Sequence, residues 1–553
     1  MPDHYGDYNL AREDNDTARR WGGIVRPASA AQPAGQGFVS RLQRDLLALG
    51  FRLFDSANGN FGAATHWALR EFQAYAKMEH AAQENTQSTA TRYVDRLTRV
   101  SIPQPQRYTG RVSGVLNART RQLLRHWVDN RWRCPVVAEA WNMLGNNRNT
   151  LAQGNVWRHD EVPTGRRVYV RDFTEYYDFP AGRNRNDLIV LGPRLNYLQW
   201  QGPASQAPQH TWREAEMLPE RLVGVPLAQL TDAQRSTFKV IRAVSEVECM
   251  GFFDSVNAYD NAFISLGPCH WTLGIVNNGD VDAQNVRVVA EGELCGFLAY
   301  LRQTEATAFE DAVGFFGVRV DEDWGANGQT LYNTSQRKYA GWVAVEQENG
   351  TWQRLQEREP EANFLKTWHW FYRFVMAGRT IAGFQRRMWH LARARLRDLR
   401  RSAWGTGVTA IPTGAQGQTR PVTVGDVFTS ERALGIILRW HIRFPGHVLT
   451  NGQAANRLRN ALARARTAQP NLGWAGAPTT WTAAHEGALI QGLRDEVDST
   501  GNDNLIETIG SVNGWPGWAT NNPRGYTLPA TIGALGQGRS SFQFDDADLP
   551  PAL

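Results

Sequence analysis

Residues 245–271 read SEVECMGFFDSVNAYDNAFISLGPCHW, and four carboxylates, Glu246, Glu248, Asp254 and Asp260, crowd into the first part of that stretch. A small-residue turn follows, carrying Ser265, Gly267, His270 and Trp271. Carboxyls that meet different surroundings can divide labour. One kept protonated can donate to a glycosidic oxygen, while a second holds water or stabilises positive charge on the ring. The arrangement suggests a sugar-cleaving site.

Residue spacing separates the two glutamates. On a helix through STFKVIRAVSEVEC, Phe238, Ile241, Val244 and Glu248 share one face, whereas Glu246 falls on the other with Lys239 and Arg242. Glu248 therefore extends an apolar stripe near a helix C-terminus. Burial and the negative end of the helix dipole would both disfavour its ionisation there, so it is expected to be the general acid. Glu246 reads as a solvated partner of Arg242. Asp260, with Asp254 behind it, is the candidate for positioning water, although Asp254 also suits a turn cap and Asp260 also suits fixing the loop. AFISLGPCHWTLG alternates and turns as a short β ribbon does, and places Asn257, Tyr259, Ser265, His270 and Trp271 as candidate substrate contacts.

The elements that must position these residues lie in a long chain. At 553 residues it exceeds one ordinary domain. Residues 1–36 are polar and then rich in Ala, Pro and Gly, and read as a mobile leader. Residues 37–145 open with helical spacing at Val39, Leu42, Leu46 and Leu49, a stop at Gly50, the turn SANGNFG, and a second helix bearing Trp67, Leu69 and Phe72. Short β-like pieces, RRVYVRDFTEYYDF and DLIVLG, mark 146–232 as a connector or small β module. Helical patterning returns over 233–500, with Thr231 or Asp232 as N-cap of its first helix. Residues 501–553, rich in Gly, Pro, Asn and Trp, are expected to wrap over the preceding domain or trail from it. WHWFYRF at 368–374 reads as core, and RARLRDLRR at 393–401 as a solvated face that could also meet an anionic polymer.

Of the 60 basic residues only Lys77, Lys239, Lys338 and Lys366 are lysines, and the net charge of +6 favours anionic partners such as a bacterial wall or nucleic acid. The 21 tryptophans suit sugar stacking as well as packing. No apolar run is long enough to span a bilayer, and the first residues lack an apolar signal core. The four cysteines, Cys134, Cys249, Cys269 and Cys295, form no CxxC pair or zinc pattern and are expected to be reduced, with a bridge between Cys249 and Cys269 left open. GxxxxGK[ST], HExxH and GxSxG are absent, and neither DVDAQN nor DEDWGANG has calcium-loop spacing, so no metal or cofactor is expected.

Two stretches carry family likeness. Leu42-Gln43, Leu46, Leu49-Gly50-Phe51, Gly59, Phe61-Gly62, Thr65, Ala68 and Phe72-Gln73 resemble the bacterial peptidoglycan-binding domain of the three-helix type. An echo follows at 108–127, with Gly114, Thr120 and Trp127 in corresponding roles. The polar insert at about 79–106 separates either two repeats or two parts of one enlarged domain.

The opening stretch resembles the lysozyme-like superfamily of goose-type lysozymes, lytic transglycosylases and chitosanases. The likeness is carried by Ser245, Glu246, Glu248, Phe253, Asp254, Asn257, Tyr259, Asp260, Ser265, Gly267 and Trp271. Cys249-Met250 lengthens the segment after Glu248, and His270 stands where that pattern has glutamine. The resemblance implies a mainly α protein: a small helical peptidoglycan-binding domain, a β-containing connector, and a lysozyme-like helical domain with a small β ribbon. It implies an endolysin-like glycosidase, a muramidase or else a lytic transglycosylase, whose Glu248 is the catalytic acid. Peptidoglycan is its expected partner, without nucleic acid. Synthesis in the cytoplasm without a signal peptide would require delivery to the wall by a holin or an injection system. The rival readings are a non-catalytic wall-binding component of a phage tail or injection apparatus, and a chitosanase-like glycosidase.

Overall fold

The computed structural model describes residues 4–26, 36–51, 56–90, 96–142, 148–150, 166–172, 188–191, 215–249, 251–257, 264–273, 275–281, 287–290, 292–320, 343–354, 365, 368–414, 417–500 and 531–549. It is mainly helical with small antiparallel sheets. Three helices, α1 (Phe38–Leu49), α2 (Ala63–Tyr75) and α3 (Ala118–Asp129), build the N-terminal domain. The insert between α2 and α3 forms strands β1 (His80–Glu84) and β2 (Leu97–Ser101), and β3 (Trp132–Arg133) pairs with the other edge of β1. Residues 108–133 thus complete the same unit that α1 begins.

The sequence echo has a physical basis in two matching clamps. From α1, Gln43 donates to the carbonyl of Asn60 and to Thr65 of α2, both at 2.9 Å, and accepts from the Gly59 amide at 2.8 Å. Thirty positions on, Gln73 of α2 donates to the carbonyl of Val115 at 3.0 Å and to Thr120 of α3 at 3.2 Å, and accepts from the Gly114 amide at 2.8 Å. Each glutamine is a buried strut between a corner and the next helix. Gly59 and Gly114 take φ of +72° in those corners, a region costly for any residue with a Cβ. A Cβ on Gly114 would also fall 2.4 Å from the His66 ring.

Residues 4–26, expected to be mobile, are packed instead. Tyr5, Leu10 and Trp21 are buried, and the Trp21 ring meets Phe38 edge-on at 5.1 Å. Helix α1 starts after Gly37, which has no side chain to cap it; Asp16 takes that role by accepting from the amides of Val39 at 3.0 Å and Ser40 at 2.9 Å. The cap comes from the segment that composition alone marked as loose.

Further on, β4 (Val136–Asn142), β5 (Arg148–Thr150), β6 (Arg166–Asp172) and β7 (Leu188–Leu191) make one antiparallel sheet in the order β5-β4-β6-β7. Helix α4 (Asp232–Cys249) opens with a reciprocal cap, in which Thr231 accepts from the Gln234 amide and Gln234 accepts from that of Thr231. After α4 comes a three-stranded ribbon of β8 (Val256–Asn257), β9 (Ser265–Leu266) and β10 (Trp271–Thr272), and then a hairpin of β11 (Ile275–Val281) and β12 (Arg287–Ala290). The C-terminal half adds α5 (Glu293–Thr304), α6 (Ala306–Ala312), and a sheet of β13 (Val318–Val320), β14 (Val343–Glu346) and β15 (Trp352–Arg354). Helices α7 (Trp368–Thr380), α8 (Ala382–Arg401), α9 (Glu431–Arg443), α10 (Asn456–Ala468) and α11 (Ala483–Asp498) complete it.

Trp370, Tyr372, Phe374 and Val375 of α7 are core, in line with the reading of WHWFYRF. The arginines of α8 correct the reading of a solvated face: Arg393, Arg395 and Arg397 are all buried. Arg393 donates to the carbonyls of Asp545 and Ala547, both at 2.8 Å, because residues 531–549 fold back over α8. Arg395 reaches inward to Glu293 at 2.8 Å and His441 at 3.1 Å. Residues 531–549 therefore wrap over the helical body, and the rest of the segment lies outside the described residues.

The N-terminal domain is joined to that body through its own central helix. Arg70 of α2 donates to the carbonyls of Glu346 at 2.7 Å and Gly317 at 2.8 Å. Next to it, Glu71 and Arg373 of α7 form an ion pair at 2.6 Å, with both side chains less than 5% exposed. The Arg373 guanidinium also lies over Phe316 at 3.8 Å and Trp370 at 4.6 Å.

Candidate functional site

Helix α4 delivers Glu248 on its last turn, the ribbon delivers His270, and α9 packs along α4 to deliver Arg439. His270 Nδ1 lies 2.9 Å from one carboxylate oxygen of Glu248, and Arg439 Nε lies 3.3 Å from the other. The ribbon aims His270 through a tight turn in which Gly267 has φ +79° and His270 itself has φ +49°, closed by the His270 amide on the Gly267 carbonyl at 2.9 Å. A residue other than glycine in the left-handed region is uncommon, and here it marks a turn that the fold holds in place. The Glu248 side chain is 10% exposed and that of His270 20%, so the pair opens to solvent at one edge.

The electrostatics reverse the expectation for the glutamates. Burial, the largest influence, pushes Glu248 up, but the hydrogen bond from His270 and the charge and hydrogen bond of Arg439 together outweigh it and hold the carboxyl down at about 2. The expected protonated Glu248 is thus corrected to a carboxylate. Glu246 is the raised one: burial pushes it up to about 7, against the opposing pull of Arg242 and with a further push from Glu216. It bonds to Arg242 as expected, but it is not solvated. Residues 215–217 run against 251–253, with Met217 donating to Gly251 at 2.9 Å and Phe253 to Ala215 at 2.8 Å, and they cover the face that periodicity left to water.

The other candidates separate. Asp254 has no exposed surface and is paired with Arg379 of α7 at 2.6 Å, so it anchors the start of the ribbon and cannot touch a substrate. Trp271 is also removed from the surface: it is 1% exposed and stacks on Phe297 at 5.4 Å, which makes it ribbon core instead of cleft lining. Ser265 is buried in β9, opposite Asn257 on one side and Thr272 on the other. Asn257 has a backbone place in β8, while Tyr259 and Asp260 lie outside the described residues. All four cysteines are buried and free; burial pushes the Cys269 thiol up to about 12 and raises Cys249 as well.

Arg439 was not found by sequence reasoning. Its signal is a lone cation inside the apolar run ALGIILRW, since a charge at such a position must find a buried partner. His441, two positions on, is fully buried and accepts from Arg395, which supports α9 behind the site. Among the described residues no cluster of His, Cys, Asp and Glu could hold a metal ion, and no helix is long and apolar enough to cross a membrane.

Against known proteins, residues 36–80 match the family described as "Putative peptidoglycan binding domain". The match covers α1, the Gly59 corner, α2 and the first residue of β1, which together contain the whole of the first glutamine clamp. It supports a peptidoglycan-binding module and an association of this protein with the bacterial cell wall. No curated protein and no solved structure matches the chain.

Proposed function

We propose that the protein cleaves the β-1,4 glycan strand of peptidoglycan at Glu248 and His270, with Glu248 as general acid, while the N-terminal helical domain holds the wall. The observation that carries this reading is the meeting of Glu248, at the end of α4, with His270 of the ribbon at 2.9 Å where the pair keeps a solvent edge. Both oxygens of Glu248 are occupied by His270 and Arg439. To donate, the carboxyl must take up a proton and exchange one of those partners for the glycosidic oxygen. Glycan cleavage then runs faster as pH falls below neutral, because each unit raises the protonated fraction of a low-lying carboxyl about tenfold. Delivery to the wall by a holin or an injection system remains part of this reading.

The ion pairing favours one further reading, in which the protein is a non-catalytic wall-binding component and Glu248 is a strut between α4, the ribbon and α9. Turbidity of purified walls separates the two. Under the first reading wild type clears the walls and Glu248→Gln, which keeps the shape without a transferable proton, loses about 100-fold or more of that rate. Sedimentation with walls is unchanged by the substitution. No clearing by folded wild type at any pH from 4 to 8, together with intact sedimentation, would leave the second reading standing.

A further inference from the structure

A pocket opens on the seam between the N-terminal domain and the helical body, with a volume of about 630 Å³. Lys77 and Arg111 line it from one side, and Glu310, Arg319, Glu346 and Glu348 from the other. Most of these charges are already satisfied. Arg111 lies 3.4 Å from Glu346 and Arg319 lies 3.3 Å from Glu310, while Glu348 accepts from Ser113 and, at 2.9 Å, from Asn117. Lys77 differs: among the described residues no carboxylate comes within ion-pair distance of its ammonium, which sits half-buried beside Phe315. Burial lowers its proton affinity, against the opposing pull of Glu346 and Glu310, which act from beyond ion-pair distance.

Such a pocket discriminates by charge. A neutral sugar would leave the Lys77 ammonium without a direct ion pair, and a polyanion would meet three carboxylates on the wall. A small molecule bearing both signs fits, with its carboxylate on Lys77 and its ammonium among Glu310 and Glu346. We propose that the seam pocket binds a short zwitterionic peptide, the class to which the stem peptides of peptidoglycan belong. This rests on the wall-associated reading, and it assigns the peptide to a site built jointly by the two parts of the chain, lined by neither Glu248 nor His270.

The test uses the full chain and calorimetric titration with the tripeptide L-alanyl-γ-D-glutamyl-diaminopimelate, the same tripeptide with its carboxylates amidated, and tetra-N-acetylglucosamine. Wild type should bind the free-acid peptide at least tenfold more tightly than the amidated one. Lys77→Met, which keeps the stem and removes the charge, should erase that preference. Equal affinity for the two peptides in wild type overturns the proposal without recourse to any variant, as does an undiminished preference in folded Lys77→Met. Sedimentation with intact walls runs in parallel. Walls bound without peptide preference sink this site alone; peptide bound selectively without wall sedimentation upholds the site and sinks the wall-associated reading; loss of both sinks both.

Discussion

Glu246 and Glu248 stand two positions apart on one helix and titrate in opposite directions, because one is buried against Arg242 and Glu216 and the other between His270 and Arg439. Their effects on stability oppose each other accordingly. Glu248 lies below its ordinary value of 4.5 in the fold, so its ionised form adds stability that is complete above about pH 4.5 and is lost as pH falls toward 2. Glu246 lies above 4.5, so its contribution is complete below about pH 4.5 and is lost as pH rises through about 7. At ~1.4 kcal/mol per unit, the loss from Glu246 is up to about 3 kcal/mol. Urea midpoints of wild type and Glu246→Gln should therefore diverge between pH 4.5 and 8, with wild type losing more; parallel curves would mean that Glu246 titrates as an ordinary carboxylate. Arg439→Met removes a cation that holds Glu248 down, so under the proposed glycosidase reading the limb on which wall lysis falls with rising pH should move to higher pH. An unmoved limb would show that another group sets it. The identity of these residues was legible from periodicity, which put the two glutamates on different faces of α4. Their protonation was not, because the partners come from α9, the ribbon and residues 215–217, all distant in sequence or outside any helical pattern.

At the scale of elements, the clearest sequence signal was the one with the most specific chemistry. Gln43, Gly59 and Thr65 recur as Gln73, Gly114 and Thr120 because each set closes a corner onto a helix by the same three hydrogen bonds. Replacing Gln73 with Leu would strand the Gly114 amide and the Val115 carbonyl in a buried corner, at about 1–3 kcal/mol for each buried group left unsatisfied. Thermal melting should show a clear fall for Gln73→Leu and a similar one for Gln43→Leu. A change of less than about 0.5 kcal/mol in either would mean that water replaces the amide. Elements defined by composition were read less well. The mobile leader proved to carry the α1 cap, and the solvated arginine run proved to lie under the C-terminal strap. Polar content reports what a segment can offer to water, and it does not report whether another segment takes that offer first.

Across the whole molecule, the Glu71–Arg373 pair decides how independently the two parts behave. Each partner is almost fully buried, so Glu71→Gln would leave an uncompensated guanidinium in the seam, at about 3–5 kcal/mol. Calorimetry should show one cooperative transition for wild type, since α2 belongs to both cores, and an earlier, broadened or split one for Glu71→Gln. Two separate transitions in wild type would show that the seam is weak. Neither Glu71 nor Arg373 was singled out by sequence, because an ion pair across 302 positions leaves no local trace.

Helix α2 explains why this domain resists treatment as a portable part. Thr65 serves one clamp, Gln73 the other, Arg70 and Glu71 serve the seam, and every residue from Thr65 to Tyr75 is buried. Wall-targeting modules are attractive to protein engineers as interchangeable cassettes, joined to a cargo by a linker and exchanged at will. Here the cassette has no outer wall of its own on that side. A chimaera that grafts residues 36–133 onto a new cargo would carry an orphaned Arg70 and Glu71 on its surface, and a foreign module spliced in their place would meet Arg373 with no carboxylate to offer.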